Sequence, residues 1–100
     1  MVDLKQLQEK IYKNKIDKNF NVTDIYMEFC YLHIEVAEAI DAYYRQNGEI
    51  GEELADVAIY LLGLAEILGI NLEDEILRKM EINEKRQYDI KGRIDNETGS

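Results

Sequence analysis

Proline is absent from the 100-residue chain, glycine occurs 6 times and cysteine once. Loops must therefore be few and short, which excludes collagen-like, Pro-rich and Gly/Ser-linker classes. The lone Cys30 cannot close an internal disulfide, and no signal-peptide pattern is seen, so a cytoplasmic protein is expected. Basic residues are also scarce, 12 against 21 acids, for a net charge of −9. Duplex nucleic acid and anionic membranes need a basic footprint, so neither is expected as a partner. A small anionic ligand that arrives with a cation stays open. Long apolar runs are missing too. The most apolar stretch, Leu54 to Leu68, is interrupted by Asp56, Gly63 and Glu66 and is too short to span a bilayer. Alternation over a strand length is absent, so no strand is expected.

What is present is 46% apolar residues at helical spacing, enough for one small domain. The expected architecture is all-α, a four-helix bundle-like domain over residues 1–90, with residues 91–100 a loose tail. A first helix from Val2 to about Lys18 carries Leu4, Leu7, Ile11 and Ile16 on its stripe. Asn21 or Thr23 is placed to cap the second helix, which runs to about Asn47 with Ile25, Phe29, Leu32, Val36, Ile40 and Tyr43 inward and Gly48 as its stop. The third helix, Ile50 to Leu68, is apolar nearly all round from Val57 onward. Asn71 caps a fourth, with Leu72, Ile76, Leu77, Met80 and Ile82 as its stripe. Three neighbours cannot cover the third helix, so a second subunit is expected against it, through Val57, Leu61 and Leu64.

Two acid pairs stand out. Glu35 and Glu38 share one face of the second helix, and Glu53 and Asp56 repeat the spacing on the third. Both pairs sit among apolar residues. The short turn at Gly48 to Gly51 makes the helices antiparallel neighbours, so the pairs can face each other. Four facing carboxylates repel, and an unpaired charge taken from water costs several kcal/mol, of order ~3–5. A cation would neutralise the cluster. Carboxylate oxygens without Cys or His point to Mg²⁺, with Mn²⁺ the alternative. Solvated faces are the competing reading of two such pairs. Glu66, the one acid of the third helix beyond Asp56, lies about 80° from Asp56 around the axis, and Glu66→Gln is expected to keep near-normal activity.

Lys79, Asn83 and Arg86 recur at +4 and +3 along one face of the fourth helix. They are either ordinary cations at a helix C-terminus or, if the acids hold a metal, contacts for phosphate. Other constellations fail. A di-iron bundle needs Glu-x-x-His twice, but His33 is the single histidine. No Walker or Gly-rich phosphate loop exists. Cys30 and His33, three apart on one helix, are taken as core packing rather than as a nucleophile pair.

Glu35-Val36-Ala37-Glu38, followed by Glu53-Leu54-Ala55-Asp56-Val57-Ala58-Ile59-Tyr60, resembles the paired E-x-x-E and E-x-x-D motif of MazG-type nucleotide pyrophosphohydrolases. Gly69-Ile70-Asn71-Leu72 and Lys79 to Arg86 resemble that family's last helix. Ala37 replaces a glycine often found between the two glutamates, and Arg86-Gln87-Tyr88 departs from the usual Arg-Tyr-Pro ending. The resemblance implies an all-α fold that assembles as a homodimer or homotetramer. It implies hydrolysis of a nucleoside triphosphate to the monophosphate and pyrophosphate with Mg²⁺. Glu35, Glu38, Glu53 and Asp56 would be the catalytic metal ligands, and Lys79, Asn83 and Arg86 the substrate-binding residues. Tyr12, Phe20, Tyr26 and Tyr31 are candidates to stack on the base. A dUTP or phosphoribosyl-ATP pyrophosphohydrolase is the related alternative. A non-catalytic helical interaction module is the alternative of another class.

Overall fold

The computed structural model describes residues 2–86. Four helices follow in order: α1 (Leu4–Asp17), α2 (Ile25–Arg45), α3 (Ile50–Ile67) and α4 (Leu72–Lys85). The described residues contain no strand, which agrees with the all-α expectation. No helix among them is long and apolar enough to cross a membrane. The expected loose tail at 91–100 and the Gln87-Tyr88 ending lie outside the described residues.

Three helices begin on a side-chain cap. Asp3 accepts from the Gln6 amide (3.2 Å), Asp24 from Met27 (3.0 Å) and Asn71 from Asp74 (3.2 Å). The α2 cap is thus Asp24 rather than Asn21 or Thr23. Asn21 instead holds the Asp24 backbone through both its amide atoms and bonds onward to Glu28. α2 stops at Gln46, which takes the left-handed conformation (φ 51°), two residues before the expected Gly48. Gly48 then supplies a second positive φ (81°) in the turn.

α2 and α1 both pack on α3, and α4 leans on α1. The α1–α3 contact is close: a Cβ on Gly63 would stand 3.2 Å from Ile11 Cγ2. The buried apolar core is Ala39, Ala42, Leu62, Leu64 and Ala65.

The face that α2 buries is only partly the predicted one: Ile25 and Leu32 are half-buried as expected, but the other four are not. Phe29, Val36, Ile40 and Tyr43 point outward, with Ile40 65% and Tyr43 74% exposed. The residues turned toward α3 are Glu28, Leu32, Glu35, Ala39 and Ala42, a stripe one position away and so rotated by about 100°. Alanines let the helices approach closely, while the bulky stripe is left on the outside. α1 departs similarly: Leu7 and Ile16 are exposed, and its buried side chains are Gln8 and Lys15. In α3 only Leu62–Ala65 is fully enclosed, and Leu64 (3% exposed) is used up inside the protomer and cannot contact a second subunit. On α4 the apolar residues Ile76, Leu77 and Met80 are exposed. Cys30 and His33 are exposed as well, so neither packs in a core.

Gln8 ties α1 to the α3–α4 connection. Its amide nitrogen donates to the Ile70 carbonyl (2.8 Å) and to Glu66 Oε1 (3.1 Å), and its oxygen accepts from the Leu72 amide (2.9 Å). Lys5 completes the knot with a 2.7 Å ion pair to Glu66. Glu66 is therefore a structural residue, a role its place on the helical wheel does not show. Lys5 holds its carboxyl below the ordinary value, and Gln8 assists. Gln8→Ala should cost about 1–3 kcal/mol, because it leaves the Ile70 carbonyl and the Leu72 amide without their partner. Glu66→Gln should also lower the melting temperature. Thermal denaturation followed by circular dichroism checks both; an unchanged midpoint for Gln8→Ala would refute the tether.

Candidate active site

The seam between α2 and α3 carries ionisable groups along its length. Glu28, Glu35 and Glu38 come from α2, and Glu53, Asp56 and Tyr60 from α3. Steps of three, four and seven residues keep each set on one helical face. The antiparallel turn then brings the sets together.

One carboxylate oxygen from each of Glu35, Glu38 and Glu53 lies within 4.8 Å of the other two. Glu35 Oε2 and Glu53 Oε2 are buried and have no hydrogen-bond partner. Burial, reinforced by Glu38, Asp56 and Glu53, pushes the Glu35 carboxyl above its ordinary value. Burial likewise raises Glu53, with Glu38 and Asp56 adding to it. These are the marks of a set of hard oxygen donors missing a positive charge: buried acceptors without donors, and like charges crowded together. Three converging carboxylates with spare oxygens suit a divalent cation that prefers oxygen ligands. Asp56 is the fourth expected member. It is exposed at the edge of the cluster, and its charge acts on Glu35, Glu53 and Tyr60. The expectation that its stretch of α3 is buried does not hold, since Ala58 and Ile59 are exposed too. A groove of about 410 Å³ opens beside the cluster, with Glu38, Asp41, Glu49 and Glu53 in its lining.

Lys79 and Asn83 sit exposed on α4, and Arg86 is the residue at its C-cap. Because α4 leans on α1, no hydrogen bond or ion pair among the described residues joins Lys79 or Asn83 to the carboxylates.

Two turns along α2 from Glu35 is a feature that the spacing of the acid pairs does not reveal. Lys15 Nζ makes a 2.5 Å ion pair with Glu28 Oε1, with the side chains 9% and 1% exposed. Asn21 donates to the other Glu28 oxygen at 2.9 Å. The Lys15 ammonium also sits 5.0 Å above the centre of the Tyr60 ring, whose centre is 6.0 Å from that of Tyr31. A cavity of about 190 Å³ is lined by Lys15, Phe20, Asn21, Glu28, Tyr31 and Tyr60. A neighbouring one of about 270 Å³ shares Lys15, Phe20 and Tyr60. Tyr31 precedes Glu35 by four residues and Tyr60 follows Asp56 by four, so the aromatic cavity and the carboxylates are about one helical turn, ~5–6 Å, apart. The signal was available in the seven-residue step from Glu28 to Glu35, which puts both on the α3-facing stripe. Of the four aromatics considered for stacking, Phe20 and Tyr31 line the cavity, and Tyr26 points out to solvent.

The raised carboxyls fix a sign for the pH response without metal. The folded state holds their protons more tightly than the unfolded chain, so their stabilising contribution is complete below the ordinary glutamate range and is lost as pH rises through the raised values. In the presence of a chelator, the melting temperature should fall as pH rises above the ordinary glutamate value of 4.5, and Glu35→Gln should flatten the slope. Glu66 acts in the opposite sense, but its contribution is already in place above its ordinary value of 4.5. A chelated protein whose midpoint climbs as pH rises above that value would contradict the crowding.

Comparison with known proteins bears on the same residues. The chain is 36% identical over 80 residues, 80% of its length, to a protein of Salmonella phage PMBT28 named dATP/dGTP diphosphohydrolase. It spans about a quarter of that relative, 26% of its length. No solved structure matches it significantly. The MazG-like family profile matches residues 30–99, a stretch that holds all four acids and the α4 residues Lys79, Asn83 and Arg86. With most of its length matched, and with paired carboxylates facing each other across α2 and α3, the chain belongs to the MazG-like family.

Proposed function

We propose that the chain is an Mg²⁺-dependent nucleoside triphosphate pyrophosphohydrolase that releases pyrophosphate and leaves the monophosphate. The observation that carries this is the convergence of Glu35, Glu38 and Glu53 with two buried, unpartnered carboxylate oxygens. A non-catalytic module has no reason to keep such charges in its α2–α3 seam.

Glu35, Glu38 and Glu53 would hold the cation, with Asp56 at the open edge completing the set. Bound Mg²⁺ supplies neutralisation of the triphosphate charge and acidifies the attacking water. Carboxylate oxygens not engaged by the cation are available to take the proton from that water. Hydrolysis is then direct, with no covalent intermediate on the protein. The aromatic cavity lined by Phe20, Tyr31 and Tyr60 receives the base, one turn from the carboxylates that handle the phosphates. Lys79, Asn83 and Arg86 bind the outer phosphates. The phage relative's name supports deoxyribonucleoside triphosphates as the substrate class. Substrate profiling against dUTP and phosphoribosyl-ATP separates this reading from the related alternatives.

The active form is proposed to be a homodimer or homotetramer. A wholly apolar groove of about 320 Å³ runs between α2 and α3, lined by Val36, Ile40, Tyr43, Leu54 and Val57 among others. A second copy covering it would bury the stripe that α2 turns away from its own core. Light scattering at micromolar concentration should give a dimer or larger, and Ile40→Glu should shift it to monomer. A wild-type monomer would overturn the assembly.

Glu38→Gln keeps the shape and removes one charge. Pyrophosphate release should fall by more than the ~10–100-fold typical of losing an outer-shell partner, with the helical circular dichroism spectrum unchanged. Glu52→Gln, exposed in the first turn of α3 and outside the converging set, is the control and should keep near-normal turnover. Lys79→Ala should raise KM while leaving Mg²⁺-induced thermal stabilisation in place. Full turnover in Glu38→Gln would refute the proposed site.

A further inference from the structure

We propose that the buried Lys15–Glu28 ion pair determines base specificity, selecting a nucleobase that carries an exocyclic amine beside a ring acceptor. The inference rests on the pyrophosphohydrolase reading above for the identity of the ligand as a nucleotide.

A buried ion pair is seldom explained by stability. Well-packed apolar residues of the same volume serve a fold as well or better, because both charges must be stripped of water. Here Lys15 and Glu28 are 7% and 1% exposed, yet both line the aromatic cavity. Their hydrogen-bonding capacity is not used up. Glu28 accepts from Lys15 at one oxygen and from Asn21 at the other. A carboxylate offers about four acceptor sites, so roughly two are left. Lys15 has three donor hydrogens and, among the described residues, Glu28 as its one hydrogen-bond acceptor. The cavity floor thus presents an acceptor and a donor side by side, 2.5 Å apart.

That pattern complements a base edge in which a donor amine adjoins an acceptor. Adenine offers N6–H₂ beside N7 or N1, whereas the thymine edge has carbonyl acceptors and no exocyclic amine. Glu28 accepts from the amine and Lys15 donates to the ring nitrogen. Tyr60, held under the Lys15 ammonium at 5.0 Å, and Phe20 supply the ring faces. Buried polar groups discriminate because a base lacking the amine leaves the remaining acceptor positions of the desolvated Glu28 unfilled, although Lys15 and Asn21 still bond to it. Asn21 anchors the carboxylate from the α1–α2 connection and keeps it aimed at the cavity.

The test compares 2′-deoxyadenosine monophosphate with its analogue lacking the 6-amino group, by calorimetric titration of the intact wild-type chain. The amine should be worth about tenfold or more in affinity. This arm needs no variant. The second arm uses the charge-balanced double variant Lys15→Met/Glu28→Gln, which removes the pair without stranding either charge. It should bind both ligands with affinities within about threefold of each other. Equal affinities in the wild type, or discrimination that survives in the double variant, would overturn the proposal. Since monophosphate binding requires no turnover, the two readings fail separately. A chain that discriminates but releases no pyrophosphate refutes only the reaction. A chain that hydrolyses triphosphates without discriminating refutes only the role of the pair.

Discussion

Crowded negative charge at the seam between α2 and α3 is the constraint around which the other features of the chain arrange themselves. Glu35, Glu38 and Glu53 bring oxygens within 4.8 Å of one another, and two of their oxygens are buried with nothing to bond. Ala39 and Ala42 put them there. Small side chains on the α3-facing stripe let the helix axes approach, which brings the glutamates of α2 near Glu53 of α3. Enlarging the alanines would relieve the crowding and enlarge the core together. The close approach and the site are therefore one feature, and a cation that satisfies the carboxylates also favours the helix pairing.

Along that seam the chemistry changes in order. At one end Lys15 is held by Glu28 against the Tyr60 ring, in the middle Tyr31 and Tyr60 tilt against each other, and at the far end the acids converge. Tyr60 is the hinge between the two charged regions. Burial pushes its hydroxyl above the ordinary value, and Glu35 and Glu28 on either side add to the effect. The phenol therefore stays neutral near pH 7, as an oxygen-bearing wall that adds no further negative charge. In the proposed site, a nucleotide laid along this line would have its planar base beside the aromatic rings and its phosphates beside the carboxylates proposed to hold the cation.

Helix number, the α3 boundaries, the start of α4 and the juxtaposition of Glu35, Glu38 and Glu53 were legible in the sequence, because each depends on local spacing. Three-residue steps place Glu35 with Glu38 whichever way the helix rolls, and Asn71 caps α4 from its own first turn. The roll of α2 was not legible. Phe29, Val36, Ile40 and Tyr43 form a better apolar stripe than Glu28, Leu32, Glu35, Ala39 and Ala42, and periodicity favours the better stripe. It cannot show that the poorer one faces the neighbour and carries the site. The Lys15–Glu28 pair escaped for a related reason. It joins residues 13 apart across a helix connection, so no window of a single helix contains it. The role of Glu66 does not show on the wheel either, since it depends on Lys5 and Gln8 from the distant α1.

The poorer stripe has an energetic consequence. Among the described residues, three of the five buried apolar ones are alanines, which contribute little area at roughly 25 cal/mol per Å². Gln8, Lys15 and Glu28 occupy interior positions that a larger core would give to leucine or isoleucine. A protomer built this way is short of apolar burial because its best-defined positions serve polar ends. The large residues it does possess are displaced to the outside, Ile40 and Tyr43 on α2 and Leu54 on α3, where they gather along one groove. Assembly through that groove, as proposed above, returns to the fold the burial that the site removes. The groove shares Ala39 with the α3-facing stripe, but Glu35, Glu38, Glu53 and Asp56 are not in its lining.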